Sequence, residues 1–165
     1  MGLNAPFPNP VAVEGPSSDP PTILIYSAST TIGLFAVELL RLARTPSGKS
    51  YRVFATASPK HHAKLLGRGV EAAFDYRSKT WIEDVRKASG GICAAFDCIS
   101  LGDSTAHISK TFVESGGVIA VIRMGLDEAG IKNGVKTIYS AVWVGLGHDF
   151  MFSGMRFRNT CRSCL

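Results

Sequence analysis

The stretch from Thr22 to Arg44, TILIYSASTTIGLFAVELLRLAR, constrains this chain more than any other. Ile23, Leu24, Ile25 and Tyr26 form a short apolar run of β-forming residues, the pattern of a strand buried on both faces. Ser27 to Thr31 is small and polar and extends neither a strand nor a helix pattern. Ile32, Phe35, Ala36, Leu39, Leu40 and Ala43 then recur at helical spacing, with Glu38 and Arg41 on the opposite face. A buried strand that turns tightly into a helix delivers free backbone N–H groups and the positive end of the helix dipole to one place. That arrangement suits a pyrophosphate.

The turn departs from the usual glycine pattern. G-x-G-x-x-G would put glycines at Ala28, Thr30 and Gly33, and of these only Gly33 is one. Gly33 stands where a missing side chain lets helix and strand pack closely. The rest of the turn is Ser27, Ser29, Thr30 and Thr31. Their hydroxyls suit phosphate oxygens, and they equally suit a plain helix cap. Both readings stand at this level.

A length of 165 residues suits one domain with a good core. Hydrophobic content of 45% and charged content of 19% describe a globular protein. The first twenty residues carry repeated prolines and no basic start before an apolar run, so no signal peptide is expected. No apolar segment reaches membrane-spanning length. Cys93 and Cys98 flank an expected buried strand, which suggests reduced thiols and a cytoplasmic setting. The net charge of +5 comes from scattered basic residues, with Arg156, Arg158 and Arg162 in the tail. There is no basic stripe and no aromatic interleaving, which argues against nucleic acid. A mild attraction to anionic cofactors or partners fits instead.

Residues 1–21 read as an extended lead-in rich in Pro, Asn, Gly and Ser. After the first strand and helix, Tyr51 to Ala57 reads as a second strand. Ser58 then caps a helix with Pro59 at its first position, ending near Gly67 or Gly69. Ala72 to Tyr76 is a third strand, Thr80 to Ala88 a helix, and Ile92 to Ile99 a fourth strand. A helix from about Asp103 to Val113, a strand from Val118 to Arg123 and another from Lys136 to Val144 complete the pattern. Strands alternating with helices imply an α/β fold: a Rossmann-like, doubly wound parallel sheet of about six strands with helices on both faces. Ligands of such sheets bind beyond the carboxyl ends of the strands. That rule gathers Ser27–Ile32, Ser58–His61, Ile99–Gly102 and Ile122–Arg123 into one rim.

The end of the second strand bears on ribose chemistry. An acid there would hydrogen-bond both ribose hydroxyls and repel a 2′-phosphate. This chain has Ser58 there, followed by Lys60, His61, His62 and Lys64, with no acid between Tyr51 and Val70. That favours NADP(H) over NAD(H), and it argues against S-adenosylmethionine. A solvated basic helix start is the plainer alternative.

The runs YSASTTIG, ATASPKHH, GVEAAFDYR and AAFDCI, in that order and spacing, resemble the cofactor domain of medium-chain dehydrogenase/reductases. The resemblance is to their zinc-free fungal branch, which includes trans-acting enoyl reductases of polyketide biosynthesis, and it covers roughly Leu3 to Phe150. It implies that Ser29, Thr30, Thr31, Ile32 and Gly33 form the turn that holds the pyrophosphate. It implies that Ser58, Pro59, Lys60 and His61 surround the adenosine 2′-phosphate. The family often has Lys or Asn where this chain has His61, which makes that contact depend on the charge of an imidazole. Tyr76 matches a tyrosine of the same pocket, and its alternative is a strand-end aromatic that caps the core. Ile122 and Arg123 match a pair near the nicotinamide.

The resemblance further implies a domain plan: a lead-in over 1–21, an NADP(H)-binding domain over 22–149 and an irregular basic tail over 150–165. The family's GroES-like catalytic domain has no counterpart among these residues, so no catalytic residue is assigned. The expected function is hydride transfer from NADPH to an enoyl thioester or similar alkene in the complete enzyme. The substrate would be a small-molecule or carrier-bound enoyl group, with a polyketide synthase as one partner. The alternative is a truncated remnant that binds nucleotide or a protein partner without turnover. Self-association through an exposed cleft and around Trp143 is a further expectation. No metal is expected. Cys161-x-x-Cys164 is a lone pair in a basic tail, Cys98 reads as a buried structural thiol, and Asp75 and Asp97 show no acid/base partner.

Overall fold

The computed structural model describes residues 20–45, 47–123 and 128–139, and the backbone of 150–152 and 155–157. Contacts divide the chain into two units, one over 13–139 and one made of 1–12 with 140–165. The described residues of the larger unit form six strands: β1 (Thr22–Tyr26), β2 (Arg52–Thr56), β3 (Ala72–Phe74), β4 (Ala94–Asp97), β5 (Gly117–Val121) and β6 (Val135–Tyr139). They form one sheet in the order β3-β2-β1-β4-β5-β6, and every pairing is parallel. The order runs one way from β1 to β3 and the other way from β4 to β6. The switch point therefore lies between β1 and β4.

Among the described residues four α-helices accompany the sheet: α1 (Thr31–Leu42), α2 (His62–Leu66), α3 (Trp81–Ser89) and α4 (Ser104–Ser109). The alternation of strand side chains sorts the core into two layers. Leu24, Phe54, Ala95 and Ile119 face α3 and α4, through Trp81, Val85 and Ile108. Ile25, Val53, Ala55 and Cys98 face α1 and α2, through Ala36, Val37 and Leu65. Helices cover both faces, so the sheet is doubly wound. Leu24, Ile25, Phe54 and Leu65 are fully buried, each contributing about 1.5–3 kcal/mol relative to exposure.

The helix after β1 turns a different face to the core than its apolar spacing suggests. Gly33, Ala36 and Val37 are its buried residues, with Leu40 packed alongside. Phe35 is 67% exposed, Leu39 52%, Leu42 67% and Ile32 43%. A Cβ on Gly33 would lie 2.6 Å from the Ala28 Cα, so that glycine backs directly onto the turn and fixes the rotation of the helix. Small residues at Gly33 and Ala36 win the sheet-facing stripe because they allow close approach.

Other boundaries move as well. The expected helix over 103–113 is only the six residues of α4, and Phe112 pairs with Ile92 in an isolated bridge instead. Between β5 and β6 the described residues form turns and no helix. The sixth strand ends at Tyr139, and residues 140–144 of the expected strand lie outside the described residues, as do Trp143, Cys161, Cys164 and 1–19. In the smaller unit, β7 (Phe150–Phe152) and β8 (Met155–Phe157) pair antiparallel, Phe150 opposite Phe157. Irregular chain was expected there. Two short runs, Phe-Met-Phe and Met-Arg-Phe, separated in sequence by Ser153 and Gly154 are a short hairpin signal.

Candidate functional site

The turn between β1 and α1 is held from below by β2. The Thr56 hydroxyl, fully buried, accepts the N–H of Ser27 at 3.0 Å, and the Thr56 carbonyl accepts that of Ala28 at 2.9 Å. Ser27 has a φ of 59°, in the left-handed region. The backbone position that favours glycine is thus Ser27, one residue before the fingerprint placed it. Thr30 is the N-cap of α1. Its hydroxyl accepts the N–H of Gly33 at 3.1 Å and donates to the Ser27 carbonyl at 2.9 Å. The cap reading therefore holds for Thr30. The next two N–H groups, of Thr31 and Ile32, have no acceptor among the described residues, and the Ser29 hydroxyl has no partner there either. Open donors of this kind at the head of a twelve-residue helix are groups to which an anion can bind.

The ends of β2 and β3 form the next corner. Ser58 caps a 3-10 turn, Pro59–His61, through its carbonyl, which accepts the His61 N–H at 2.9 Å. The Ser58 side chain makes no capping bond, and Lys60 is exposed. His62 turns back instead: its Nε2 lies 2.9 Å from the Ala57 carbonyl. The N–H of Ala57 donates to the Phe74 carbonyl at 3.0 Å, so Ser58 and Asp75 leave neighbouring strand ends. Tyr76 is 38% exposed and meets Tyr26 edge-on, ring centroids 6.3 Å apart. Tyr26 also lies against Trp81, and burial, helped by the Asp97 charge and Tyr76, pushes its phenol up to about 12.

β3 brings one carboxylate to this corner that the reading of the second strand did not weigh. Asp75 holds Arg77 in two parallel bonds, to Nε at 3.0 Å and to Nη2 at 3.1 Å. Hydrogen bonding to Arg77 holds its carboxyl below the usual range. The Arg77 guanidinium also sits 5.7 Å from the Tyr76 ring centroid. The corner thus carries a matched ion pair beside the basic turn. The signal for it was the i, i+2 spacing in Asp75-Tyr76-Arg77.

Beyond the switch point, Asp97 ends β4 opposite Tyr26 of β1 and Val121 of β5. It is fully buried, and its carboxylate accepts the N–H groups of Ile99 and Ser100 and the hydroxyls of Ser104 and Thr105. The Ser100 hydroxyl accepts the N–H of Ile122 at 3.0 Å. Arg123, next along, is exposed. Cys98 is 3% exposed, and burial pushes its thiol up to about 12, which leaves it protonated and unreactive. Asp75 and Asp97 make no bond to each other; each has its own partners.

Because all six strands are parallel, the segments after β1, β2, β4 and β5 leave the same edge of the sheet. Ser29 to Gly33, Ser58 to His61, Tyr76 and Ile122–Arg123 all lie along that edge. Two shallow hollows occur elsewhere, one beside Glu38, Arg41 and Gly67–Gly69 and one along Glu128–Thr137, and neither includes a residue of this rim. Among the described residues no three His, Cys, Asp or Glu side chains gather to hold a metal ion. No helix there is long and apolar enough to cross a membrane.

A parallel sheet in this order, with an open helix N-terminus at its switch point, defines a Rossmann-like domain. No protein-family model matches the chain. It is 31% identical to the trans-enoyl reductase poxP of Penicillium oxalicum over 129 residues, 78% of this chain and 32% of that protein. It is also 31% identical to lovC of Aspergillus terreus, the enoyl reductase component of lovastatin nonaketide synthase, over 70% of this chain and 31% of that protein. The chain thus spans about a third of the length of these relatives. Among solved structures, the CurK enoyl reductase superposes with a TM-score of 0.60 at 20% identity, covering 74% of this chain and 36% of that one. A quinone oxidoreductase from Coxiella burnetii gives 0.59 at 20%, covering 73% and 36%. These two share the fold. The relatives it matches in sequence are fungal trans-enoyl reductases, along about a third of their length.

Proposed function

We propose that this chain is the NADP(H)-binding domain of an enoyl reductase-like oxidoreductase. The observation that carries the reading is the rim itself. An open helix N-terminus and a basic strand end without a free carboxylate lie on one edge of one sheet. The residues fit the cofactor on physical grounds. Gly33 has no room for a side chain, so the head of α1 sits tight on the turn. The N–H groups of Thr31 and Ile32 and the Ser29 hydroxyl are free to donate to a pyrophosphate. Ser58, Lys60 and His61, with Pro59 setting the turn and Tyr76 beside them, suit a 2′-phosphate. Asp75 is the one carboxylate described at that corner, and Arg77 neutralises it. Ile122 and Arg123 stand on the nicotinamide side.

A bound NADPH would supply a hydride, and in the complete enzyme its acceptor would be the β-carbon of an enoyl thioester. This chain's residues bind and orient the cofactor and form one wall of the pocket. The names of the relatives support a carrier-bound enoyl substrate and a polyketide synthase as partner. A cytoplasmic setting is part of the same reading.

The test is a thermal melt of the purified chain with NADPH, with NADH and with neither. Binding to the folded state raises the midpoint in proportion to ln(1 + [L]/Kd). A rise with NADPH well above that with NADH is expected. A cooperative melt that neither nucleotide moves would overturn the reading in favour of a domain that has lost cofactor binding.

A further inference from the structure

We infer that Ser100, set by Asp97, is a positioning residue for the nicotinamide half of the cofactor site. The inference rests on the nucleotide reading above and adds a division of labour within it. Asp97 is fully buried at the end of β4 and collects four donors on two oxygens. Oδ1 takes the N–H of Ile99 at 3.1 Å and of Ser100 at 2.8 Å. Oδ2 takes the hydroxyls of Ser104 at 2.6 Å and Thr105 at 2.8 Å. The carboxylate therefore curls the loop after β4 back under its own strand and ties it to the start of α4.

The curl is tight enough to drive Ser100 to a φ of 51°, a conformation that side chains other than glycine rarely adopt. What that conformation achieves is the placement of one hydroxyl. Ser100 Oγ donates to the Asp97 carbonyl at 3.0 Å and accepts the Ile122 N–H at 3.0 Å. Ser100 is 2% exposed, so water has little access to either bond. β5 ends at Val121, its last pairing being with Tyr139 of β6. Ile122 is thus the first residue past the ladder. The Ser100 hydroxyl fixes the peptide plane between Val121 and Ile122, and with it the direction in which Ile122 and Arg123 leave the sheet.

The loops after β4 and β5 are thereby locked to each other on one side of the switch point. The turn after β1 and the corner after β2 and β3 have their own supports, Thr56 and the Asp75–Arg77 pair. Loss of the Ser100 hydroxyl should loosen the nicotinamide side and leave the adenosine side intact.

Ser100→Gly tests this, because glycine accepts a positive φ and the side chain that carries the hydroxyl is lost. Calorimetric titrations of the wild-type and variant chains with NADPH and with adenosine 2′,5′-bisphosphate, which has the 2′-phosphate but no nicotinamide, are compared. Circular dichroism melts confirm that the variant is folded. NADPH affinity should fall roughly three- to tenfold, the worth of one hydrogen bond, with the bisphosphate unchanged within about twofold. Ser100→Ala is read in the same way if the glycine variant melts early. Equal loss for both ligands would make Ser100 a purely structural residue and overturn the inference, as would no loss for either. If the wild-type chain binds neither ligand, it is the nucleotide reading that fails, and this inference falls with it.

Discussion

The Thr56 hydroxyl of β2 holds the N–H of Ser27, twenty-nine residues earlier in the chain, at 3.0 Å. That bond lets Ser27 take a left-handed φ of 59° at the very end of β1. Both residues are buried. Thr56→Val removes the acceptor and strands a buried N–H, at a cost of about 1–3 kcal/mol. Ser27→Gly relieves the backbone strain, less the entropy a glycine loses on folding, for a gain of about 0.5 kcal/mol. Urea unfolding should show opposite shifts of midpoint. A Ser27→Gly variant less stable than wild type would mean that the turn does not hold its strain there.

Gly33 has no space to give. An added Cβ would lie 2.6 Å from the Ala28 Cα and 2.7 Å from the Ser27 carbonyl oxygen, both rigid backbone. Gly33→Ala must push α1 away from the turn, at a cost of about 1–3 kcal/mol or more. It also lifts the open N–H groups of Thr31 and Ile32, so any NADPH-induced rise in melting temperature should disappear even where the variant is folded. A variant that keeps both its melting point and its nucleotide shift would contradict the packing described.

The sheet was legible because buried parallel strands read as apolar runs separated by helical periods. Six runs from Ile23 to Lys136 seeded the six parallel strands, and their ends drew the rim. Two things were hidden. The rotation of α1 was hidden because apolar residues occupy two stripes of it, and only the Gly33–turn contact decides which faces in. The supports of the rim were hidden because they are long-range and polar. Nothing local marks Thr56 as the partner of Ser27, or Ser100 as the partner of Ile122. Asp97 was visible as a strand-end acid, but its role as an acceptor for four donors depends on how the loop after it curls.

The two stripes of α1 can be told apart by substitution. Val37 is 1% exposed and packs with Ile25 and Leu65, so Val37→Ala should cost about 2 kcal/mol. Phe35 is 67% exposed, so Phe35→Gln should change stability by less than about 0.5 kcal/mol. Removal of that ring should also reduce any concentration-dependent association seen by sedimentation, because Ile32, Phe35, Leu39 and Leu42 make one exposed apolar strip. A large loss of stability from Phe35→Gln would restore the apolar spacing as the guide to the buried face.

Alkaline pH should find a weakness at the switch point, where the Cys98 N–H donates to the Tyr26 carbonyl at 3.3 Å. The Tyr26 phenol and the Cys98 thiol are both raised to about 12, chiefly by burial. A group whose pKa is raised on folding gives stability that is full below its unfolded value and lost as pH climbs through its folded value. The unfolded values are about 8.5 for a thiol and about 10 for a phenol. The melting temperature should therefore be insensitive to the titration of these groups up to about pH 8.5 and decline between there and pH 12. Absorbance titration should show one of the four tyrosines ionising late. Iodoacetamide at pH 8.5 should leave Cys98 unmodified until urea is added, as read by peptide mass mapping. Alkylation of Cys98 in the folded chain as fast as in the unfolded one would mean that the thiol is open to solvent, and its place in the core layer with Ala36, Val37 and Leu65 would have to be redrawn.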